Sequence, residues 1–540
     1  MARGRLTLGP FIGDRIASLS LSQFRLLLLG VGSLSGALFW ASIPKLEIHL
    51  LAWVCLLPCL SLLPYLSPQR LFSLGLLGGL VASLGRTYWI TETLQLYGNL
   101  SLLEALASNF LLILYLALFW AVFFYLCSRF RLSSSLFPWL AASLWVLLEW
   151  AQNWVITGFP WQLLGYSQYR QLALLQLTSV TGIYGLSFLI ALVNGTFAHL
   201  LSNRLTPSRL LIAVAPPILL LTAALLLGQQ RLDALAEEKT SDVLEVGIVQ
   251  GNIPQDLKWK TSRVAGTTNH YVELTRTLPA DQLDLIIFPE TALPFYFQHP
   301  YYAEFQRKIA DLAREMATPI LVGSLGGSWE EGIYNRTFLV DAEGSVLDYA
   351  DKVHLVPFGE YLPLAFIFQY LEALTAESGV FEHGESHKAL ALPGSDHRAG
   401  IFICYESIFP EITRQLALLG SSFLINTTND AWFGVTAAPY QHFAMAAVRA
   451  AETGLPVLRA ANTGISGLIG PSGRILHTTD LLETTAFTVS LHPRREITFY
   501  VRHGNLIVAF CALLLAGYST WEHPWVKSRR EKKGTIGDGK

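Results

Sequence analysis

The sequence predicts an α+β membrane protein: a bundle of transmembrane helices joined to a charged, strand-rich domain outside the bilayer. Only 14% of its 540 residues are Asp, Glu, Lys or Arg and 52% are hydrophobic, whereas roughly 25% are charged in an ordinary soluble domain. The shortage is local. Charge is sparse through most of residues 20–228 and returns over about 231–495. In that second stretch short apolar strands alternate with helices, the order expected of an α/β arrangement with functional residues at the carboxyl ends of strands.

Apolar runs near 24–42, 47–65, 72–90, 103–127, 135–151, 179–200, 209–228 and 505–519 are the predicted spans, a bilayer core needing about 20 apolar residues per helix. The last run is short unless His503 and Trp521 flank it at the interfaces. Residues 24–42 are followed by further spans rather than by a small-residue cleavage site, so they read as a retained anchor. Arg3, Arg5, Arg15 and Arg25 precede or open the first span, Arg70 follows the second, Arg129 and Arg131 the fourth, and Arg204 and Arg209 the sixth. Lys527, Arg529, Arg530, Lys532 and Lys533 follow the eighth. Alternate loops therefore share the cytoplasmic side, which requires an even number of spans with both termini inside. The predicted domains are 1–230, with seven transmembrane helices, 231–495 as the extracytoplasmic domain, and 496–540 as the final helix with a basic cytoplasmic tail. A net charge of −2 gives no basic footprint for nucleic acid.

Within 231–495, VLEVGIVQGN, LDLIIFPE, TPILVGSLG, RTFLVDAEGSVLDYADKVHLVP, AGIFICYE, SSFLINTTND, LPVLRAANTG, ISGLIGPSG and TAFTVSLH read as strands or hairpins, and 301–316, 410–419 and 440–453 as helices. No Walker or GxGxxG sequence and no metal-ligand spacing is present.

Four of the five cysteines (Cys55, Cys59, Cys127 and Cys511) lie in or beside apolar runs; Cys404, in GIFICYES, sits alone in the charged region. A lone thiol at a strand end can act as a nucleophile, and it then needs a base for its proton and donors for the oxyanion it creates. Glu290, in IIFPETALP, is the candidate base, with a pKa expected to be raised toward neutrality by an apolar wall of Phe288, Leu293, Phe295 and Phe297. Lys352, in YADKVHLVPFGEYLP, carries an ammonium into an apolar strand and needs a partner, which Glu360 can supply. Lys352 and the backbone N–H of Tyr405 are the candidate oxyanion donors. Glu406 reads as an orienting carboxylate. His354 and His442 are weighed as partners in a Cys–His pair; His354 shares a strand face with Lys352, lacks an obvious Asn or Asp partner, and reads as structural. Asn426, Asn429, Asp430, Arg449, Glu452 and Asn462 form an expected polar network bracing the site.

IIFPETALP, YADKVHLVPFGEYLP, CYES and NTTNDAWFG, in that order, resemble the nitrilase superfamily, and specifically its membrane branch, the apolipoprotein N-acyltransferases. The nitrilase-like match covers about 245–490, and seven spans before it with one after it resemble that branch over nearly the whole chain. The resemblance implies a four-layer αββα sandwich and a Glu–Lys–Cys triad at Glu290, Lys352 and Cys404. It further implies Glu360 as an additional essential carboxylate, Tyr405 and Glu406 as residues needed for activity, and Trp259, in GNIPQDLKWK, near a lipid entrance.

The implied reaction moves the sn-1 acyl chain of a glycerophospholipid, phosphatidylethanolamine by expectation, through a Cys404 thioester to the α-amine of an S-diacylglyceryl cysteine on an apolipoprotein. No metal or organic cofactor is needed. The implied setting is the bacterial inner membrane, with a monomeric multi-pass chain whose catalytic domain faces the periplasm. A membrane-tethered amidase using the same residues would need one anchor rather than eight spans, and a transporter would place ionisable residues within its spans. Glu47, Glu92, Glu104 and Glu149 lie instead at or near the predicted span ends.

Overall fold

The computed structural model describes residues 18–203, 205–237, 242–280, 282–328, 332–361 and 380–522. Arg3, Arg5, Arg15, Arg204 and the basic tail of Lys527, Arg529, Arg530, Lys532 and Lys533 lie outside the described residues.

By length and composition, four described helices can cross a membrane: Leu21–Ser42, Leu102–Cys127, Ile183–Ser202 and Pro207–Glu237. A fifth crossing is available if Pro68–Thr87 and Trp89–Tyr97, bent by 51°, count as one span. Phe137–Ala151, of 15 residues, and Leu506–Glu522, of 17, are shorter. The first three helices of the bundle touch through glycine. A Cβ on Gly79 would lie 2.7 Å from the Cα of Ala117, and one on Gly36 would collide with the carbonyl of Gly78, so small residues here permit backbone-to-backbone approach.

The expected span at 47–65 is not one helix. It is a 3-10 turn, His49–Val54, followed by the four-residue helix Leu57–Leu60. Pro58 and Pro64 each lack an N–H and oppose a continuous ladder. Backbone groups freed by such a break need partners inside an apolar bundle, and neighbouring side chains provide them. Asn194 Oδ1 accepts from Leu56 N at 2.9 Å and Leu57 N at 3.2 Å, while its Nδ2 donates to Ala52 O at 3.0 Å. Gln168 Nε2 donates to His49 O at 2.9 Å, and Ser35 Oγ donates to Cys55 O.

Residues 244–491 build two sheets. The first joins β1 (Leu244–Gln250), β2 (Leu285–Ile287), β3 (Leu293–Tyr296), β4 (Ile320–Ser328), β5 (Gly332–Val340), β6 (Val346–Asp351) and β13 (Thr485–Leu491). Its order is β13-β1-β2-β4-β5-β6, with β3 also on β4. The second joins β7 (Ala389–Ala391), β8 (Arg398–Ile403), β9 (Phe423–Thr428), β10 (Val457–Ala461), β11 (Gly467–Ile469) and β12 (Ile475–Thr478) in the order β12-β11-β10-β9-β8-β7. In each sheet the central strands run parallel, β1-β2-β4 and β8-β9-β10, with antiparallel strands outside them.

Alternation along the strands sends side chains to opposite faces. Val246, Ile248, Ile287 and Leu339 from the first sheet share a buried cluster with Ile401, Ile403, Ile425 and Leu458 from the second, and Cys404 lies in that cluster. The other face of the first sheet buries Ile286, Val322 and Phe338 against the helices Val264–Thr275 and Ala303–Met316. The other face of the second sheet buries Phe402, Leu424 and Val457 in the same cluster as Pro410–Leu418, Ala438–Thr453 and the membrane helices. Strand β6 stops at Asp351, one residue before Lys352, but Lys352 N still donates to Asn335 O at 2.8 Å.

Asn194→Leu leaves the Leu56 and Leu57 N–H groups without their acceptor and the Ala52 carbonyl with only its Cys55 N–H donor. It is expected to destabilise the protein by about 1–3 kcal/mol, read as a lower thermal midpoint of the detergent-purified protein; an unchanged midpoint would show that the broken segment does not rely on Asn194.

Candidate active site

Cys404 follows β8 directly and opens a 3-10 turn, Cys404–Ile408, with φ +51°. A non-glycine residue in the left-handed region is strained by roughly 1–3 kcal/mol and persists only where its surroundings hold it. The holding is visible. Glu406 Oε2 accepts from Ile403 N at 2.7 Å, and its Oε1 accepts from Val353 N at 2.8 Å and His354 N at 3.0 Å. One carboxylate thus ties the Cys404 turn to the backbone beside Lys352, although burial pushes its own pKa above the ordinary range.

Lys352, 1% exposed, donates to Glu360 Oε1 at 2.7 Å and to Glu290 Oε1 at 3.2 Å. Asn335 Nδ2, from the adjacent β5, donates to the same two carboxylates, at 2.7 Å to Glu290 and 3.2 Å to Glu360. Glu360 Oε2 accepts from Val356 N at 2.8 Å, and Phe358, at φ +62°, forms the bend that returns the chain. A second buried ammonium stands behind Glu290: Lys258 Nζ donates to the Glu290 carbonyl at 3.1 Å. Burial draws Lys258 down to about 8, against the pull of Glu290 and Cys404.

The charge states follow from this crowding. Burial raises Glu290, but the Lys352 and Lys258 charges outweigh it and the carboxyl lies below its ordinary range. Burial lowers Lys352, but Glu290 and Glu360 raise it further, so it stays protonated. Burial, then the Glu290 charge, push the Cys404 thiol up. The resting pair is therefore carboxylate and thiol. Glu290 Oε2 is buried and has no hydrogen-bond partner among the described residues, which leaves it available for a proton. Such a pair can activate a thiol on demand without storing a thiolate.

Two expectations are corrected. Glu290 is lowered, not raised toward neutrality. Phe288, Leu293, Phe295 and Phe297, the supposed wall, pack instead in the cluster beneath the outer helices of the first sheet. The expected polar network also divides. Asn429 pairs with Gln255 and Asn462, and Asn426 and Asp430 pair with Arg459. Arg449 and Glu452 belong to the seam with the membrane helices, where Arg449 donates to Tyr166 Oη at 2.7 Å and Glu452 accepts from Ile183 N at 2.7 Å.

Tyr405 reaches the same seam: its hydroxyl donates to Gly158 O at 3.1 Å and its ring neighbours Phe159, His354 and Phe409. His354, drawn by burial to about 4, lies with its ring centroid 3.9 Å from that of Phe409. His442 does have an acidic neighbour, Asp430, but its other nitrogen meets the Cys404 carbonyl rather than the thiol. Trp259 is part-buried against Tyr296, Leu325, Leu355 and Phe381. Sequence reasoning missed Asn335, Lys258 and Arg459. Lys258 and Arg459 carried the signal already used for Lys352, a cation beside apolar or aromatic neighbours. Asn335 carried none.

The sequence matches the Carbon-nitrogen hydrolase family over residues 245–495 and the Apolipoprotein N-acyltransferase N-terminal domain over residues 35–196. Apolipoprotein N-acyltransferase of Geobacter metallireducens is 38% identical over 88% of this chain and 92% of its own length. That of Nitrosomonas europaea is 34% identical over 82% and 86%. The chain belongs to the apolipoprotein N-acyltransferase family. Among solved structures, a CN-hydrolase superfamily protein from Xanthomonas campestris covers 46% of this chain and 91% of its own, at 20% identity and TM-score 0.36. The chain joins a carbon-nitrogen hydrolase domain to apolar helices long enough to cross a membrane.

Because Glu290 lies below the ordinary carboxylate range, its base form is complete above that range and lost only as pH falls through the lowered value. Below the range in which Lys258 titrates, Cys404 alkylation by iodoacetamide is expected to hold level from about pH 7 to pH 5 and to decline only below about pH 4.3, the ordinary glutamate value. A decline centred near neutrality would contradict it. Glu290→Gln is expected to slow the same reaction at least about a hundredfold.

Proposed function

We propose that the enzyme transfers the sn-1 acyl chain of a glycerophospholipid, through a Cys404 thioester, to the α-amine of the S-diacylglyceryl cysteine of an apolipoprotein. The observation that carries this reading is the Cys404 turn beside the Glu290–Lys352–Glu360 cluster, on a catalytic domain whose helices merge into a membrane bundle. Glu290 takes the thiol proton and the thiolate attacks the ester carbonyl. Lys352 and the Tyr405 N–H stabilise the oxyanion. Collapse expels the lysophospholipid, whose alkoxide receives the proton from Glu290, leaving the thioester. The neutral α-amine then attacks; Glu290 accepts its proton, the thiolate departs, and the proton returns to sulfur.

Glu360 holds the Lys352 ammonium in place, and Asn335 bridges Glu290 and Glu360 beside it. Glu406 fixes the Cys404 turn, and Trp259, with Tyr296 and Leu355, lines the approach of the acyl chain. Phosphatidylethanolamine is the proposed donor. Both substrates carry acyl tails whose exposure to water costs about 0.8 kcal/mol per CH₂, so a site fused to membrane helices spares them that exposure. This favours transfer between lipids over hydrolysis of a small amide.

The same reading takes residues 1–230 as seven crossings, 496–540 as an eighth with a cytoplasmic tail, and 231–495 as a four-layer αββα domain on the periplasmic side of the bacterial inner membrane. Support comes from the helix-covered outer faces of both sheets and from alternate-loop arginines such as Arg70 and Arg129. The broken and short segments at 47–65, Phe137–Ala151 and Leu506–Glu522 complete the crossings in the company of longer helices. The enzyme acts as a monomer.

Incubating the purified protein with phosphatidylethanolamine and no acceptor is expected to add one acyl chain to Cys404, released by hydroxylamine and absent from Cys404→Ala in peptide mass spectrometry. No adduct on folded, lipid-accessible protein would defeat the thioester route. With both substrates, parallel double-reciprocal lines are expected; convergent lines would indicate a ternary complex.

A further inference from the structure

The carbonyl of Cys404 and the N–H of Tyr405 are two ends of one peptide unit, and in a trans peptide they point in opposite directions. His442 Nε2 lies 3.0 Å from that carbonyl. A carbonyl only accepts, so Nε2 carries the proton and donates. The other ring nitrogen, Nδ1, lies 2.9 Å from Arg459 Nη2 and 2.9 Å from Asp430 Oδ1. Burial, then the Arg459 charge, hold the imidazole below its ordinary range against the pull of Asp430; whichever of these two neighbours Nδ1 serves, the Nε2 proton faces the Cys404 carbonyl.

The ring is held from below. Arg459 Nη2 donates to Asp430 Oδ2 at 2.8 Å and its Nε to Ile465 O at 3.1 Å, and Thr428 Oγ1 donates to Asp430 Oδ1 at 3.1 Å. The imidazole is also locked from the membrane side. Trp161 stacks on it at a centroid distance of 5.7 Å, with Phe433 edge-on at 5.8 Å, and Trp161 Nε1 donates to the neighbouring Gln441 at 2.7 Å. His442, Arg459 and Asp430 are all fully buried or within 1% of it.

We propose that His442 is a positioning residue for the oxyanion hole: by donating to the Cys404 carbonyl it fixes the 404–405 peptide so that the Tyr405 N–H faces the reacting carbonyl. The N–H groups that open the 3-10 turn have no acceptor within it, and a hydrogen bond at the carbonyl end of an amide strengthens its N–H as a donor. The same contact helps hold Cys404 in its left-handed conformation. His442 neither touches the thiol nor relays its proton, which distinguishes it from the base of a Cys–His pair. The proposal rests on the reading of Tyr405 N–H as an oxyanion donor.

Alkylation by iodoacetamide displaces iodide at a saturated carbon and creates no oxyanion, whereas acylation by an activated aryl ester such as p-nitrophenyl acetate does. The test compares both rates at Cys404, by mass spectrometry, in the full-length enzyme. His442→Phe keeps a ring against Trp161 and removes both nitrogens. It is expected to lower acylation roughly a hundredfold while alkylation stays within about threefold. His442→Gln, which keeps a donor amide, is expected to recover at least about tenfold of the lost acylation. Should His442→Phe not fold, His442→Asn, too short to reach the carbonyl, takes its place with the same expected loss. Acylation within about twofold of wild type, or equal losses in both reactions, would overturn the proposal, equal losses meaning that His442 only supports the fold. Wild-type enzyme acylated by the aryl ester but not by phosphatidylethanolamine would defeat the phospholipid reading and leave the positioning role intact.

Discussion

A lysine buried between two glutamates is the interaction on which the site depends. Lys352 has almost no exposure and meets Glu290 and Glu360 within 3.2 Å. Placing any one of these charges alone in such an interior would cost several kcal/mol, so none of the three is stable in its position without the others. Asn335 and the Val356 N–H occupy further lone pairs on the two carboxylates, and that satisfaction fixes which oxygens remain available. Glu290 keeps one, and it is the one without a partner among the described residues. The geometry of the base is therefore set by what neutralises it.

The second constraint is that the catalytic domain has no free outer face behind Cys404. The first sheet is covered by its own helices, whereas the helix Ala438–Thr453 on the second sheet is buried almost throughout and shares one apolar cluster with the membrane bundle. Hydrogen bonds cross this seam from both sides: Trp161 and Gln162 to Gln441, Arg449 to Tyr166, Ile183 to Glu452, and Tyr405 to Gly158. Burying the Arg449–Glu452 pair, 3.0 Å apart and fully covered, is costly, and the bundle that covers it offsets part of that cost through the Tyr166 hydroxyl and the Ile183 N–H. The two halves of the sequence, so different in composition, fold as one packed body around the residues that hold the thiol.

Much of this was legible from local chemistry. The change in charge density marked the two materials, and alternating apolar runs marked the strands whose ends hold Glu290, Cys404 and Asp430. Less legible were features that depend on distant partners. Residues 47–65 are apolar enough to suggest a span, and their break is tolerated only because Asn194, more than a hundred positions later, satisfies the exposed backbone. Phe288, Leu293, Phe295 and Phe297, on either side of Glu290, suggested a wall that would raise its pKa, but they pack beneath the outer helices of the first sheet, and Lys352 and Lys258 lower it instead. Asn335 lies in an unremarkable strand segment and gains meaning only from the register of β5 beside Lys352.

The charge balance explains why two lysines accompany the base. At rest the site holds Glu290 and Glu360 against Lys352 and Lys258, with a neutral thiol. In the proposed mechanism Glu290 takes the thiol proton, one negative charge moves from carboxylate to sulfur and then to the oxyanion, and the net charge of the buried cluster does not change. The field of the two ammonium groups spans the whole path, since both Lys258 and Lys352 interact electrostatically with Glu290 and with Cys404. A single lysine paired tightly to Glu290 would hold the charge at its starting point and resist the transfer. Glu360 draws the Lys352 ammonium to 2.7 Å, closer than its 3.2 Å contact with Glu290, and so weakens its grip on the base while keeping it protonated. Preorganised charges that need not rearrange as the reaction proceeds are the arrangement that gives electrostatic stabilisation its largest effect, and a dry site strengthens it further. On the proposed mechanism, the carboxylate that does no proton transfer is thus as necessary to the pair as the one that does.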